Sequence, residues 1–303
     1  MIGINSINLT SLRQPRKFFD PARIADCIAW YDFTDVQKIF TDVAGTARPS
    51  DGAEIKRVDN KAYWAKAMKD SQHGINDNAI AKFIQQDSAT KYPTWDNTNK
   101  CLVFDGSNDH LFATKSSSGA IDTNKLSSTN NFSQLAFTSF AVFRSDNASG
   151  SVSNDSTVFG LASVQPGSIS LRIDNDGSND EIFATIMNAD RSSGAENNID
   201  SGVDATTNKE FWNFSCTGSS AGILYRNGNT SSGITNASIS AAYTMNFTAN
   251  DANNKFYVGS TTAPASYFDG RIYEIIIYNR ALSTFEIKQV NQYLSNKHKI
   301  EIG

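Results

Sequence analysis

The sequence predicts an all-β fold in which two antiparallel sheets pack as a sandwich. Three observations predict it. From Ile24 onward, short apolar runs rich in β-branched and aromatic residues recur between clusters of Gly, Asn, Asp, Ser and Pro. The run Ile169-Ser-Leu-Arg-Ile173 alternates apolar and polar residues, as a strand does with one buried and one wet face. The chain also holds 19 Phe and 10 Tyr, whose rings pack well on pleated surfaces. With 303 residues and 39% hydrophobic content the chain can bury a large core, and sandwiches of roughly 200–250 residues often run as one domain.

Residues 1–20 stand apart as an arm, and 21–303 read as a single sandwich domain. The arm carries Ile2, Ile4, Ile7, Leu9, Leu12, Phe18 and Phe19 beside Arg13, Arg16 and Lys17, and its only acid is Asp20. It reads either as a frayed terminus or as a docking segment, and its apolar content is more than a free tail favours. Strands follow at 28–33, 102–104, 136–144, 157–161, 168–174, 181–187, 210–216, 222–226, 256–259 and 270–278. Residues 41–100 carry weaker strand signals, and a short helix is expected near Ala79–Gln86. Asn227-Gly228 after Ile223-Leu-Tyr-Arg226 supplies the two positive-φ positions of a type I′ turn. Asn175–Asp180 joins a second hairpin. Ile275-Ile-Ile-Tyr278 is apolar on both faces, as a strand covered on both sides should be.

The one sizeable helix is expected at Ser283–Lys297. Ser283-Thr-Phe-Glu286 is a capping box, and Leu282 and Ile287 are spaced as a hydrophobic staple around it. Ile287, Val290 and Leu294 then fall on one face.

Charge and cysteine content exclude several classes. The formal charge of −4 gives no basic excess for nucleic-acid binding. No stretch approaches the ~18 apolar residues of a membrane span, and no signal-peptide run follows Met1. Cys27, Cys101 and Cys216 are too few and too scattered for a disulfide framework or a zinc site. The chain therefore reads as made in a reducing cytoplasm.

Several segments resemble a known family. Phe256-Tyr-Val-Gly-Ser260 and Tyr267-Phe-Asp-Gly-Arg-Ile-Tyr-Glu-Ile-Ile-Ile-Tyr-Asn-Arg-Ala-Leu-Ser283, followed by Glu286, resemble the closing strands and helix turn of concanavalin A-like, laminin-G-like jelly rolls. Val103-Phe-Asp-Gly-Ser-Asn-Asp-His-Leu111 is similar to that family's strand-and-turn, and Tyr225-Arg-Asn-Gly-Asn229 to one of its hairpins. Ala29-Trp-Tyr-Asp-Phe-Thr-Asp35 and Tyr92-Pro-Thr94 resemble opening segments of bacterial and phage members. The resemblance spans roughly residues 25–298. It implies a jelly roll, and it specifies no ligand, because the fold hosts lectins, glycosidases, pentraxins and adhesion domains.

Glycosidases of this fold set carboxylates along one strand face at E-x-D-x-x-E spacing, so that acid and nucleophile roles divide. This chain has no such motif. Glu54 and Glu181 lack partners at that spacing, Glu274 stands alone among apolar neighbours, and His73, His110 and His298 are scattered. A non-enzymatic protein is expected. Asp174 and Asp176 lie in an oxygen-rich run, and Asp105 and Asp109 in a turn, so all four are candidate calcium ligands. Turn chemistry accounts for the same residues, and no cofactor is expected. Trp64, Trp95, Tyr243 and Tyr267 lie in polar contexts and are candidate sugar-stacking residues, whereas Trp30 and Trp212 read as core.

The leading expectation is a phage virion surface protein: a capsid decoration, fibre head or tail-associated subunit that binds host-surface glycans. Arg13, Arg16, Lys17, Phe18 and Phe19 would anchor it to other virion proteins, and homo-oligomerisation stays open. The alternative is an extracellular carbohydrate-binding or adhesion module of a cell. A glycosidase is the third reading, and it lacks its carboxylates.

Overall fold

A computed structural model describes residues 19–62, 82–114, 135–147, 156–162, 168–175, 180–187, 196–218, 222–231, 234–236, 255–260 and 266–303. The strands are β1 (Cys27–Asp32), β2 (Ile39–Phe40), β3 (Arg57–Asp59), β4 (Phe83–Gln85), β5 (Thr94–Asp96), β6 (Cys101–Asp105), β7 (Leu111–Thr114), β8 (Leu135–Ser145), β9 (Ser156–Ala162), β10 (Ser168–Asn175), β11 (Asp180–Met187), β12 (Glu196–Asp204), β13 (Glu210–Gly218), β14 (Gly222–Arg226), β15 (Ile234–Asn236), β16 (Lys255–Val258) and β17 (Asp269–Tyr278). A helix, α1 (Thr284–His298), closes the chain.

The strands form two antiparallel sheets. The first runs β15-β14-β13-β8-β17-β6-β5, and the second runs β12-β11-β10-β9-β16-β7-β4-β3-β2. β17 is the centre of the first sheet. One of its edges pairs along β8, while its other edge is shared end to end by β6 and β1. The two-sheet sandwich with one terminal helix is the architecture expected from the sequence.

Both faces of β17 are covered. Ile272, Ile275 and Ile277 face the core between the sheets with Phe143, Phe214 and Phe256. Tyr273, Ile276 and Tyr278 face the other way, where Ile287, Val290 and Leu294 of α1 cover them. A bulge between Ile272 and Glu274 puts Tyr273 and Glu274 together on the helix side, since an extra residue breaks the strict alternation. The cap of α1 is the one expected: Glu286 N–H donates to Ser283 Oγ, and Ser283 N–H donates to the Glu286 carboxylate.

Two expectations need correction. Within the described part of 79–86 the chain is strand β4, with Ile84 fully buried between β3 and β7, so pairing to neighbours overrides a weak helix signal. Asn227 and Gly228 do hold positive φ values of 47° and 72°, with Asn229 N–H donating to Arg226 O. The pairing of β14 with β15 sets Leu224 opposite Ile234, so the turn opens a longer connection and is not itself the whole hairpin loop. The second hairpin pairs Asn175 with Asp180 as expected. All three cysteines are buried and form no disulfide. No helix among the described residues is long and apolar enough to cross a membrane.

Candidate functional site at the sandwich rim

Two crossings between the sheets lie side by side. Residues 106–110 carry the chain from β6 in the first sheet to β7 in the second, and 259–268 return it from β16 to β17. Because β6 pairs with β17 and β7 with β16, the crossings must meet. Glycines permit the approach. A Cβ on Gly106, at φ +69°, would lie 2.7 Å from Asp269 Cβ, and one on Gly259, at φ +83°, would lie 2.4 Å from the Phe104 ring.

The first crossing is held by its own carboxylates. Asp105 Oδ1 accepts from the amides of Ser107 (2.9 Å), Asn108 (3.1 Å) and Asp109 (3.4 Å), and Asp109 Oδ2 accepts from Asp105 N–H at 3.2 Å. Among the described residues no group bonds Asp105 Oδ2 or Asp109 Oδ1, so each acid keeps an acceptor in reserve. Burial, then the neighbouring Asp105 charge and Glu54, push the Asp109 carboxyl up to about 7.

His110 follows, buried and fixed at both nitrogens. Nδ1–H donates to Asn108 O (2.9 Å), and Nε2 accepts from Gln86 Nε2 (3.0 Å). Gln86 is oriented by the amides of Asp87 and Ser88, which donate to its Oε1. The imidazole ring lies about 6 Å from three aromatic rings, those of Phe112 (5.9 Å), Tyr257 (6.0 Å) and Tyr267 (6.0 Å). Tyr257 is buried, while Phe112 and Tyr267 remain partly exposed. Burial and the Asp105 charge push the Tyr267 hydroxyl above its ordinary value, so it stays a protonated donor. The result is an aromatic surface bordered by two carboxylates.

The structure thus brings together three residues singled out separately in the sequence: Asp105, Asp109 and Tyr267. His110, Tyr257, Phe112 and Gln86 join them unforeseen. The signal was available in part, since Leu111 and Ala113 are core residues and alternation turns His110 and Phe112 outward together. The other candidates do not converge here. Trp95 is 1% exposed inside the core and has no face for a sugar, a correction that follows from its strand pairing opposite Leu102. Asp174 sits on β10 with Arg172 at 3.6 Å. Trp64, Asp176, Tyr243, Arg13, Arg16, Lys17 and Phe18 lie outside the described residues. Phe19 packs against Tyr293 of its own chain, ring centroids 6.0 Å apart. Among the described residues no group of three or more His, Cys, Asp or Glu side chains is placed to hold a metal ion.

A second polar cluster was invisible in the sequence. Glu274 is fully buried under α1, and neither it nor His298 is solitary. Its Oε1 accepts from Trp30 Nε1 (2.6 Å) and the Tyr293 hydroxyl (2.8 Å), and its Oε2 from Lys297 Nζ (2.8 Å) and His298 Nε2 (2.6 Å). Asp32 lies alongside, paired to Lys61 (2.8 Å) and Lys297 (2.7 Å). Burial pushes both carboxyls up, but Lys297, with Lys61 at Asp32 and His298 at Glu274, outweighs it and holds both below the usual carboxylate range. This cluster is saturated by its own partners and locks α1 to β1 and β17.

The family model of the concanavalin A-like lectin/glucanases superfamily matches residues 115–288, more than half of the chain. No curated protein matches. Among solved structures, the chain is 16% identical to domain 4 of AbnA, a GH43 extracellular arabinanase from Geobacillus stearothermophilus, in complex with arabinotriose. The TM-score is 0.46, covering 88% of this chain and 98% of that one. It is 15% identical to the Ruminococcus gnavus IT-sialidase CBM40, TM-score 0.40, covering 52% and 84%. It is also 15% identical to the Trypanosoma rangeli sialidase in complex with the inhibitor DANA, TM-score 0.46, covering 89% and 33%. With its jelly-roll sheets, its capped terminal helix and a family match over most of the second half, the chain belongs to the concanavalin A-like lectin/glucanases superfamily.

Proposed function

We propose that this protein binds glycans at the rim, without cleaving them. The observation that carries the reading is the partly exposed Tyr267 and Phe112 surface beside the unbonded acceptors Asp105 Oδ2 and Asp109 Oδ1. A sugar ring offers C–H faces to an aromatic surface and hydroxyl donors to carboxylates, so the two features suit one ligand. With Asp105, Asp109 and Glu54 close by, the site repels carboxylated sugars and favours neutral or amino sugars. Binding without hydrolysis is supported by the sequence, which lacks the paired strand carboxylates of this fold's glycosidases. Display on a phage particle is a narrower form of the same proposal.

The test is glycan-array screening of the full chain, followed by calorimetry on the best neutral ligand. Tyr267→Ala is expected to weaken binding about tenfold, ~1.4 kcal/mol, in line with the loss of one aromatic contact. Binding that is confined to acidic glycans, or that is indifferent to Tyr267→Ala, would remove the rim from consideration.

A further inference from the structure

Two hollows flank the exposed side of α1. One is a groove of about 850 Å³ between α1 and β1, walled by the rings of Phe19, Trp30, Phe285 and Tyr293. The other is a smaller hollow of about 330 Å³ between α1 and the turn after β14, walled by Asn229, Thr230, Ser231 and Asn291. Lys288 and Gln292, one turn apart on α1, line both, so the hollows adjoin across a single ridge. We propose that together they form a second ligand site, separate from the rim, that takes an amphipathic glycoside: a neutral sugar head in the smaller hollow and an alkyl or aryl tail in the groove.

The groove supplies the apolar half. Tyr293 holds its ring 6.0 Å from that of Phe19 and 6.3 Å, edge-on, from that of Trp30. Phe285 is 70% exposed because Ile287, Val290 and Leu294 already take the inward face of α1. The charges beside these rings are satisfied internally: Lys61 and Lys297 pair with Asp32, and Lys297 also with Glu274. The groove therefore offers rings rather than charge, and an alkyl chain or aromatic ring would leave water by packing on them.

The smaller hollow supplies the polar half. Gly228, at φ +72°, brings the turn onto the helix, where a Cβ would lie 3.1 Å from Asn291 Cβ and from the Phe211 ring. Asn291 is 1% exposed, and its Nδ2 donates to Gly228 O at 3.4 Å, but its Oδ1 has no partner. A buried carbonyl without a donor is costly, so this acceptor is set to receive a ligand's O–H. An ionised carboxylate head brings acceptors alone and cannot supply that bond, whereas a sugar hydroxyl both donates and accepts. Donors are at hand for the sugar oxygens. Asn229 uses its Oδ1 on Ser231 N–H (3.0 Å), which leaves its Nδ2 open, and Lys288 pairs with no acid among the described residues. Both volumes fall within the roughly 300–1,000 Å³ of small-ligand sites.

The test titrates the full chain with octyl glucoside below its micelle concentration, by calorimetry and by Trp fluorescence, since Trp30 lines the groove. Methyl glucoside presents the head alone, and octanoate presents the tail with a charged head. Octyl glucoside is expected to bind at least about tenfold more tightly than either, because only it fills both hollows. Phe285→Ala removes an exposed tail contact and Gln292→Ala an exposed ridge contact, so neither should disturb folding. Each is expected to weaken octyl glucoside about three- to tenfold. Tyr267→Ala, at the rim, is expected to leave it unchanged, which separates this site from the rim. Octanoate binding as tightly as octyl glucoside overturns the proposal, since the smaller hollow then plays no part. So does an absence of binding, binding indifferent to either α1 variant, or binding lost in Tyr267→Ala.

Discussion

Replacing Glu274 with Gln tests whether the buried carboxylate holds α1 to the sandwich. The change keeps size and shape and removes the charge. An amine, an imidazole, an indole and a phenol then meet an amide that can accept from only one side, and its own N–H₂ faces donors. Breaking a fully buried pair by removing one partner costs about 3–5 kcal/mol. The lower end applies here, because Lys297 is 22% exposed and keeps Asp32 at 2.7 Å. About 3 kcal/mol is therefore expected. For 303 residues this corresponds to a fall of roughly 5 °C in the unfolding midpoint, at ~2.1 cal/mol/K per residue. Urea titration with two probes, far-ultraviolet dichroism and Trp fluorescence, measures it. The deficit should also depend on pH. Glu274 is held below its ordinary 4.5 in the folded state, so its contribution is present above that pH and fades as pH falls through the folded value. Wild type and variant should converge in acid. A loss under 0.5 kcal/mol near neutral pH, or a deficit that ignores acid, would refute the idea that this carboxylate is an internal tie.

Three further outcomes follow from the same geometry. Asp109 has its carboxyl raised from 3.8 to about 7, so the unfolded chain releases that proton first, and stability should decline as pH rises across this window. Asp109→Asn should remove the decline, visible as a flatter plot of melting temperature against pH. Ile276→Ala opens a cavity between β17 and α1 and should cost about 2–5 kcal/mol by denaturant unfolding, against about 1 kcal/mol for the lost cap in Ser283→Ala. Gly270→Ala should destabilise more than a surface change, since its Cβ would meet Arg144 O at 2.3 Å at φ +148°; expression as a well-folded, equally stable protein would contradict the strand approach described.

Local chemistry was enough to read much of this molecule. The capping box at Ser283 is complete within four residues, and the structure reproduces it because a helix start is satisfied by its own side chains. The apolar run 275–278 announced a strand covered on both faces, and alternation then divides it between two cores. Short strands such as β4 were harder, since three residues carry too little periodicity to outweigh a helix-like composition. Trp95 looked polar from its neighbours, but its strand partners, 7 and more residues away, decide which way it faces.

The sequence alone therefore determined the class of fold, the terminal helix with its cap and the identity of the turn residues, because each depends on groups within a few positions of one another. Only the tertiary structure decided which side chains form a site. Asp105, Asp109 and Tyr267 meet because β6 pairs with β17 and β7 with β16, bringing two crossings together across some 150 residues of chain. Glu274 acquires Trp30 because β1 pairs with β17, and Tyr293, Lys297 and His298 because α1 packs over that strand. Burial of a charge is tolerated only where partners converge, and convergence is a property of strand order and register, which no window of the sequence contains.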